Sequence, residues 1–308
     1  MNRVRIGTRG SKLALWQAHY VADRLHTAGM DTEIVTIETQ GDKILNVSIS
    51  KIGSKGVFTE EIEDQLAVGA IDIAVHSAKD LQSELPKGFE LIAFSEREKV
   101  NDVLVSEHSD LKLENRPMVI GTSSTRRVAL LRRFYPEVKT VAVRGNLQTR
   151  IAKMKDGACD ALMLAYAGMH RMGYSNLIVQ ELGLEQFTPA VGQGSVAIEC
   201  ATSLGDEKKK KISTALNHND TGIRLICERA FLKELQGGCS IPVYGLATLL
   251  NQQISMTGGI VSLDGSKLVE KTLTGSIEQP ERLGDKLAKE LLSAGGAEIL
   301  DEIKRELN

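Results

Sequence analysis

The sequence predicts an α/β fold built of βαβ units and followed by a smaller α+β tail, and three observations carry that prediction. Through the first two thirds, short apolar runs alternate with amphipathic helical stretches, the pattern of mostly parallel sheets. Polar and cationic residues gather where those runs pass into helices. From about residue 218 the rhythm changes to a long helix, an alternating hairpin and a last amphipathic helix.

In order along the chain, "VRIGT" is a strand, and the segment after Ser11 is a helix with Ala14, Ala18, Val21, Leu25 and Ala28 on one face and Gly29 as its stop. "TEIVTIET" is the next strand. "FTEEIEDQLAVG" is a helix, because Phe58, Ile62 and Leu66 share a face and Glu60 and Glu61 favour the positive end of its dipole. "IDIAVHS" is a strand running into "AKD". The charge-mixed stretch "SEREKVNDVLVSEHSDLKLENRP" reads as a boundary, after which the alternation restarts at "MVIGTSSTRR". There "VALLRRF" is helical, "KTVAVRG" a strand, "NLQTRIAKMKDG" a helix and "DALMLA" a buried strand. In the tail, a helix reaches Gly237, "ISMTGGIVSLDGSKLVEKTLTG" alternates as a hairpin turning at Asp264-Gly265, and Leu283, Leu287 and Leu291 line a final helix.

Composition narrows the function. With 308 residues and 42% hydrophobic content there is room for two or three cores, and a formal charge of −2 gives no global footprint for nucleic acid or an anionic membrane. The N-terminus "MNRVRIGTRG" lacks a signal-peptide apolar run and no stretch approaches the ~20 apolar residues of a membrane span, so the expectation is a cytoplasmic protein. Cys159, Cys200, Cys227 and Cys239 show no metal-ligand or disulfide spacing. The first three lie in apolar or helical runs and read as small buried hydrophobes, whereas Cys239 lies in the glycine-rich "ELQGGCSIPVYG".

Ligands of parallel α/β sheets bind beyond the carboxyl ends of strands. Those junctions hold Arg9 and Ser11, then His76, Ser77, Lys79 and Asp80, then Thr122, Ser123, Ser124, Arg126 and Arg127, then Arg144, Gly145 and Arg150. Cations in the first turn of a helix oppose its macrodipole by roughly 0.3–1 kcal/mol each, which a bound anion would offset. The competing reading has Ser124 as a simple cap and both arginines solvated. Together with Arg171, these arginines point to a polyanion of carboxylates or phosphates. Lys55 lies in "GSKGVF", which lacks the spacing of a phosphate loop. Asp80 among so many cations points to a cationic reaction centre, with a helix cap or a salt bridge as the alternative, and His76 reads as structural.

Eight stretches then resemble one family in order: "GTRGSKLALWQA", "KIGSKGVF", "DIAVHSAKD", "IGTSSTRR", "VRGNLQTR", "LAYAGMHRMG", "PAVGQGSVAIEC" and "LQGGCSIPVYG". The family is hydroxymethylbilane synthase, also called porphobilinogen deaminase, and the resemblance spans essentially the whole chain. It implies head-to-tail condensation of four porphobilinogen molecules with loss of ammonia, and hydrolytic release of the linear tetrapyrrole hydroxymethylbilane. The chain would grow on a dipyrromethane cofactor held by a thioether to Cys239.

By the same resemblance Asp80 is the catalytic carboxylate, stabilising cationic intermediates and assisting loss of ammonia. Lys79, Thr122, Ser123, Ser124, Arg126, Arg127, Arg144, Gly145 and Asp42 would hold the cofactor. Arg9, Ser11, Lys55, Phe58, Ser77, Arg150, Arg171 and Gln193 would hold the substrate. Three domains are implied, the first two like type II periplasmic binding proteins: 1–97 with 195–216, then 98–194, then 217–308. A monomer without metal, membrane or nucleic-acid partner is also implied. The chain departs from the family pattern at Gln82, at "EREKVNDVLV", and at Ser195 and Val196, none of which is a residue just named.

Two rival readings differ in class. A non-catalytic carboxylate-binding protein explains the arginines but neither Asp80 nor the loop thiol. A nucleic-acid binder is opposed by 4% aromatic content and the slightly negative charge.

Overall fold

The computed structural model describes residues 3–43, 59–238 and 240–307. In chain order the strands are β1 (Val4–Arg9), β2 (Thr32–Ile37), β3 (Ile73–Ser77), β4 (Phe89–Phe94), β5 (Asp102–Val105), β6 (Met118–Gly121) and β7 (Val138–Val141). They continue with β8 (Ala161–Ala165), β9 (Ile178–Glu181), β10 (Val196–Ala201), β11 (Val243–Leu250), β12 (Gln253–Val261) and β13 (Leu268–Ser276). They form three sheets, ordered β2-β1-β3-β10-β4, β7-β6-β8-β5-β9 and β11-β12-β13.

The first two sheets repeat one plan. In each, the first strand pairs in parallel with the next two, β1 with β2 and β3, and β6 with β7 and β8. The fourth place is filled by a strand that enters from the other unit and pairs antiparallel on both sides: β10 between β3 and β4, and β5 between β8 and β9. The sheets are therefore mixed, with antiparallel crossing strands added to the parallel part that the sequence suggests. The chain passes between the two units twice, once before β5 and once before β10, and both passages border the site described below.

The helix Lys12–Thr27 follows the expected periodicity, with Ala18, Val21 and Leu25 buried and Ser11 accepting a hydrogen bond from the Ala14 amide as its N-cap. The helix Glu60–Ala67 has Glu60 and Glu61 in its first turn, and Ile62 and Leu66 are buried beneath it. In the second unit, Leu104, Ile120, Leu130 and Met163 fill one side of the sheet.

The charge-mixed stretch that reads as a boundary contains β5, whose four residues are all buried. It escapes a periodicity argument because its apolar run is only three residues long and opens on Asp102, with charged residues on both sides. β11 and the helix Asp206–Leu216 likewise go beyond the elements expected from the sequence.

In the tail, the long helix spans Asn219–Glu234, and Leu283, Leu287 and Leu291 of the helix Pro280–Leu291 pack into the same core as Phe231 and Met256. The hairpin turns at Gly265, with φ of 78°, and a β-carbon there would lie 2.7 Å from the Arg133 amide nitrogen. The hairpin tip is thereby held on the helix Thr125–Phe134, where Arg132 Nη1 donates to the Leu263 carbonyl and Arg133 Nη1 to that of Ser266.

Cys159, Cys200 and Cys227 are buried, and burial pushes the thiols of Cys200 up to about 11 and of Cys227 up to about 12. All three are inert packing residues at neutral pH.

Candidate active site

The site is assembled by the ends of β3 and β6, the turn after β7, and the two passages between units. β3 runs into a single 3-10 turn, Ala78–Asp80, which leaves the Asp80 side chain exposed and Lys79 half-buried. The return passage lies directly over this turn: the Ala78 amide donates to the Ser195 carbonyl, and Gly192 has φ of 76°. A β-carbon on Gly192 would fall 2.9 Å from the Ala78 carbonyl carbon, so the approach requires glycine.

Lys79 Nζ donates to Gln193 Oε1 at 3.3 Å, and Gln193 Nε2 donates to the Val100 carbonyl and, at 2.9 Å, to Asp102 Oδ1. Asp102 is fully buried. Its Oδ2 also accepts from Arg126 Nη2 and its Oδ1 from Arg127 Nη2, each at 2.8 Å. The remaining terminal nitrogens are engaged as well, Arg126 Nη1 with the Thr188 carbonyl and Arg127 Nη1 with that of Met163.

This corrects the expectation for "GTSSTRR". The charge that offsets two cations in the first turn of the helix Thr125–Phe134 is an internal carboxylate, and both arginines are buried rather than solvated. The boundary reading of the stretch around residue 102 concealed Asp102. The only sequence signal for it is an acidic residue opening a short apolar run, which many surface segments share.

At the N-terminal end of that helix the hydroxyls have internal partners, and Ser124 is the cap of the competing reading. Ser124 caps it through the Arg127 amide, Thr122 Oγ1 accepts from the Ser124 amide, and Ser123 Oγ donates to the Val143 carbonyl. After β7, Gly145 takes φ of 114°, Arg150 Nε donates to its carbonyl, and Lys153 Nζ donates to that of Arg144.

Electrostatics tie these groups together. Burial, reinforced by Arg127, lowers Lys79 to about 8, against the opposing pull of Asp80 and Asp102. Burial alone would push Asp102 up, but Arg126 and Arg127 outweigh it and hold the carboxyl well below its usual range. Burial and then Arg127 lower Arg150, while Asp80 acts to raise it. The Asp80 charge thus acts on a lysine of the first unit and an arginine of the second.

Other expected residues take different positions. Ser77 Oγ accepts from Gln17 Nε2 and so faces the helix Lys12–Thr27, and Ser11 is that helix's cap. Arg171 Nη2 donates to the Gly194 carbonyl and its guanidinium lies over the Trp16 ring at 5.4 Å, beside the return passage. Burial lowers Arg171 from its ordinary value. Arg9 ends β1 half-buried. His76 is buried, with Nε2 2.9 Å from Glu199 Oε2, consistent with a structural role. Lys55, Phe58 and Cys239 lie outside the described residues, as does the side chain of Asp42 in the short helix Gln40–Lys43.

The Nε atoms of Arg126 and Arg127 are buried without a hydrogen-bond partner among the described residues. Unsatisfied buried donors of this kind cost about 1–3 kcal/mol each unless a ligand supplies an acceptor. With Lys79, Arg150 and Ser123, they suit a ligand bearing several carboxylates, such as a dipyrromethane with acetate and propionate side chains.

Comparison with known proteins points the same way. Residues 4–211 match the family model "Porphobilinogen deaminase, dipyromethane cofactor binding domain", and residues 223–293 match "Porphobilinogen deaminase, C-terminal domain". Porphobilinogen deaminase of Cytophaga hutchinsonii is 58% identical over 310 residues, covering 100% of this chain and 99% of that protein. The Desulfosudis oleivorans protein of the same name is 53% identical, covering 98% of each chain. Among solved structures, the methionine-binding protein MetQ matches with a TM-score of 0.44 at 12% identity, over 69% of this chain and 89% of that one.

Proposed function

The chain belongs to the porphobilinogen deaminase family, and from that premise we propose how its own residues divide the family's work. The activity is that of a transferase: four porphobilinogen molecules are joined head to tail with release of ammonia and leave as hydroxymethylbilane. The family's dipyrromethane cofactor, when bound, supplies the pyrrole carbon to which the first substrate is joined.

Asp80 is the catalytic carboxylate in this reading. Exposed at the cleft, it stabilises the positive charge that forms on the substrate's aminomethyl carbon as ammonia departs, and it accepts the pyrrole proton once the new carbon–carbon bond has formed. Lys79, Arg126, Arg127 and Arg150, with the helix N-terminus at Ser123 and Ser124, hold the carboxylates of cofactor and growing chain. Arg144 and Gly145 complete the cofactor side, and Arg9 and Arg171 the substrate side. Cys239 is the attachment residue, as the family likeness of "LQGGCSIPVYG" implies.

The observation that most supports this division is the convergence of one exposed carboxylate with buried arginines whose Nε–H groups lack acceptors among the described residues. The sheet memberships support units of 1–97 with 195–216, 98–194, and 217–308. We read the protein as a cytoplasmic monomer that acts without metal or nucleic acid; no helix among the described residues is long and apolar enough to cross a membrane.

The direct test is to incubate the purified protein with porphobilinogen and measure ammonia and tetrapyrrole together. Four ammonia molecules per hydroxymethylbilane released are expected. Binding of porphobilinogen without ammonia release would instead favour a carboxylate-binding protein.

A further inference from the structure

We propose that Asp102 is a positioning residue that fixes the Arg126–Arg127 pair and, through Gln193, aims Lys79 at the ligand carboxylates. The inference rests on the reading above of Lys79 and the arginines as carboxylate-holding groups, and goes beyond it by assigning the buried acid behind them.

The geometry leaves Asp102 little other purpose. It is the first residue of β5, fully buried, and its two oxygens accept from three different side chains: Arg126, Arg127 and Gln193. A buried acid with that many donors is well matched, but apolar residues in place of the whole cluster would spare the desolvation of three charges. Retaining the ion cluster makes sense where the orientation of the cations matters.

Gln193 carries the effect onward. Its amide has an unambiguous orientation, because Asp102 can only accept and Lys79 can only donate, which sets Nε2 on the acid and Oε1 on the ammonium. Its backbone carbonyl accepts from Arg97 Nε, and the glycines on either side, Gly192 and Gly194, both have positive φ. Gln193 is thus fixed in the return passage while it touches both the first passage, at the Val100 carbonyl, and the site.

The charge of Asp102 also matters to Lys79. Burial and Arg127 favour loss of the lysine proton, and Asp102 and Asp80 favour its retention. The groups that face Lys79 are therefore Asp80 beside it, Asp102 from β5, and Arg126 and Arg127 from the helix Thr125–Phe134. Removing the Asp102 charge lowers the lysine's proton affinity further, so a carboxylate-binding ammonium is lost at lower pH. The sign is fixed: the alkaline limb of kcat/KM moves toward acid.

The test uses the holoenzyme, with kcat/KM for porphobilinogen measured between about pH 6 and about pH 9.5 for wild type, Asp102→Asn and Gln193→Leu. Asp102→Asn keeps the shape and removes the charge, and its alkaline limb is expected to move down by about one pH unit, with about a 10-fold lower kcat/KM at the wild-type limb. Gln193→Leu leaves the Asp102–arginine pairs intact and is expected to shift the limb the same way by less, with a melting temperature lowered by loss of its bonds to the Val100 carbonyl and Asp102. The proposal is overturned by a wild-type profile flat to the alkaline end, or by an Asp102→Asn limb at the wild-type position. If Asp102→Asn does not fold, Gln193→Leu decides alone, and wild-type values for its limb and kcat/KM overturn the proposal. A wild-type protein that consumes no porphobilinogen refutes the functional reading instead, so the two failures are distinguishable.

Discussion

Asp80→Asn is expected to lower porphobilinogen consumption by about 10²–10⁴-fold while leaving the protein as stable as the wild type. The rate effect follows from charge. In the proposed mechanism the carboxylate faces a cation that exists only as ammonia leaves, and a neutral amide of the same shape neither stabilises that cation nor takes up the pyrrole proton. The small stability effect follows from position. Asp80 ends a single 3-10 turn with its side chain exposed, and the turn is held by Ala78 beneath the return passage, not by the carboxylate. Steady-state kinetics and a thermal melt on one preparation check both halves. A variant that turns over at the wild-type rate would remove Asp80 from the chemistry.

Glu228→Gln is expected to cost about 3–5 kcal/mol of stability. Glu228 is fully buried on the long helix Asn219–Glu234, and its carboxylate collects four donors. Arg97 contributes Nη1 and Nη2, Gly192 its amide to Oε2, and Ala247 its amide to Oε1. These donors come from the first passage between units, from the return passage and from β11, so one carboxylate fastens the third sheet to both crossings. Glutamine leaves the Arg97 guanidinium buried without a counter-charge and turns an N–H toward a donor. Denaturant unfolding measures the cost, and a midpoint within error of wild type contradicts this assignment.

The fold was legible in the sequence where periodicity and caps agreed. Ala18, Val21 and Leu25 define the helix Lys12–Thr27, Gly29 ends it, and Asp264-Gly265 marks the hairpin, because each is a local signal with a local cause. The crossing strands were not equally legible. β10 appears as an apolar run, yet its antiparallel insertion between β3 and β4 is decided by contacts about a hundred residues apart in sequence, beyond any window of periodicity. β5 is too short to show a period at all.

The same division holds for the site. Strand-end clustering and family resemblance point to Lys79, Asp80, Arg126, Arg127 and Arg150 as one group, and in the structure their charges act on one another. What sequence could not supply was the internal partner of the arginine pair, since an acid that neutralises them looks, in sequence, like any surface aspartate. Glu228 was hidden for a related reason: within "LICERAFLKEL" its place on the helix suggests an ordinary polar face, and only the packing of three units makes it buried.

The central claim is that this chain builds its product on a cofactor bound to Cys239, and intact mass under denaturing conditions tests it most directly. The wild-type protein and a Cys239→Ser variant, prepared alike and incubated with porphobilinogen, are compared with their polypeptide masses. The account predicts an adduct of two condensed pyrrole units on the wild type alone. An adduct on both proteins, or on neither after incubation, would contradict it.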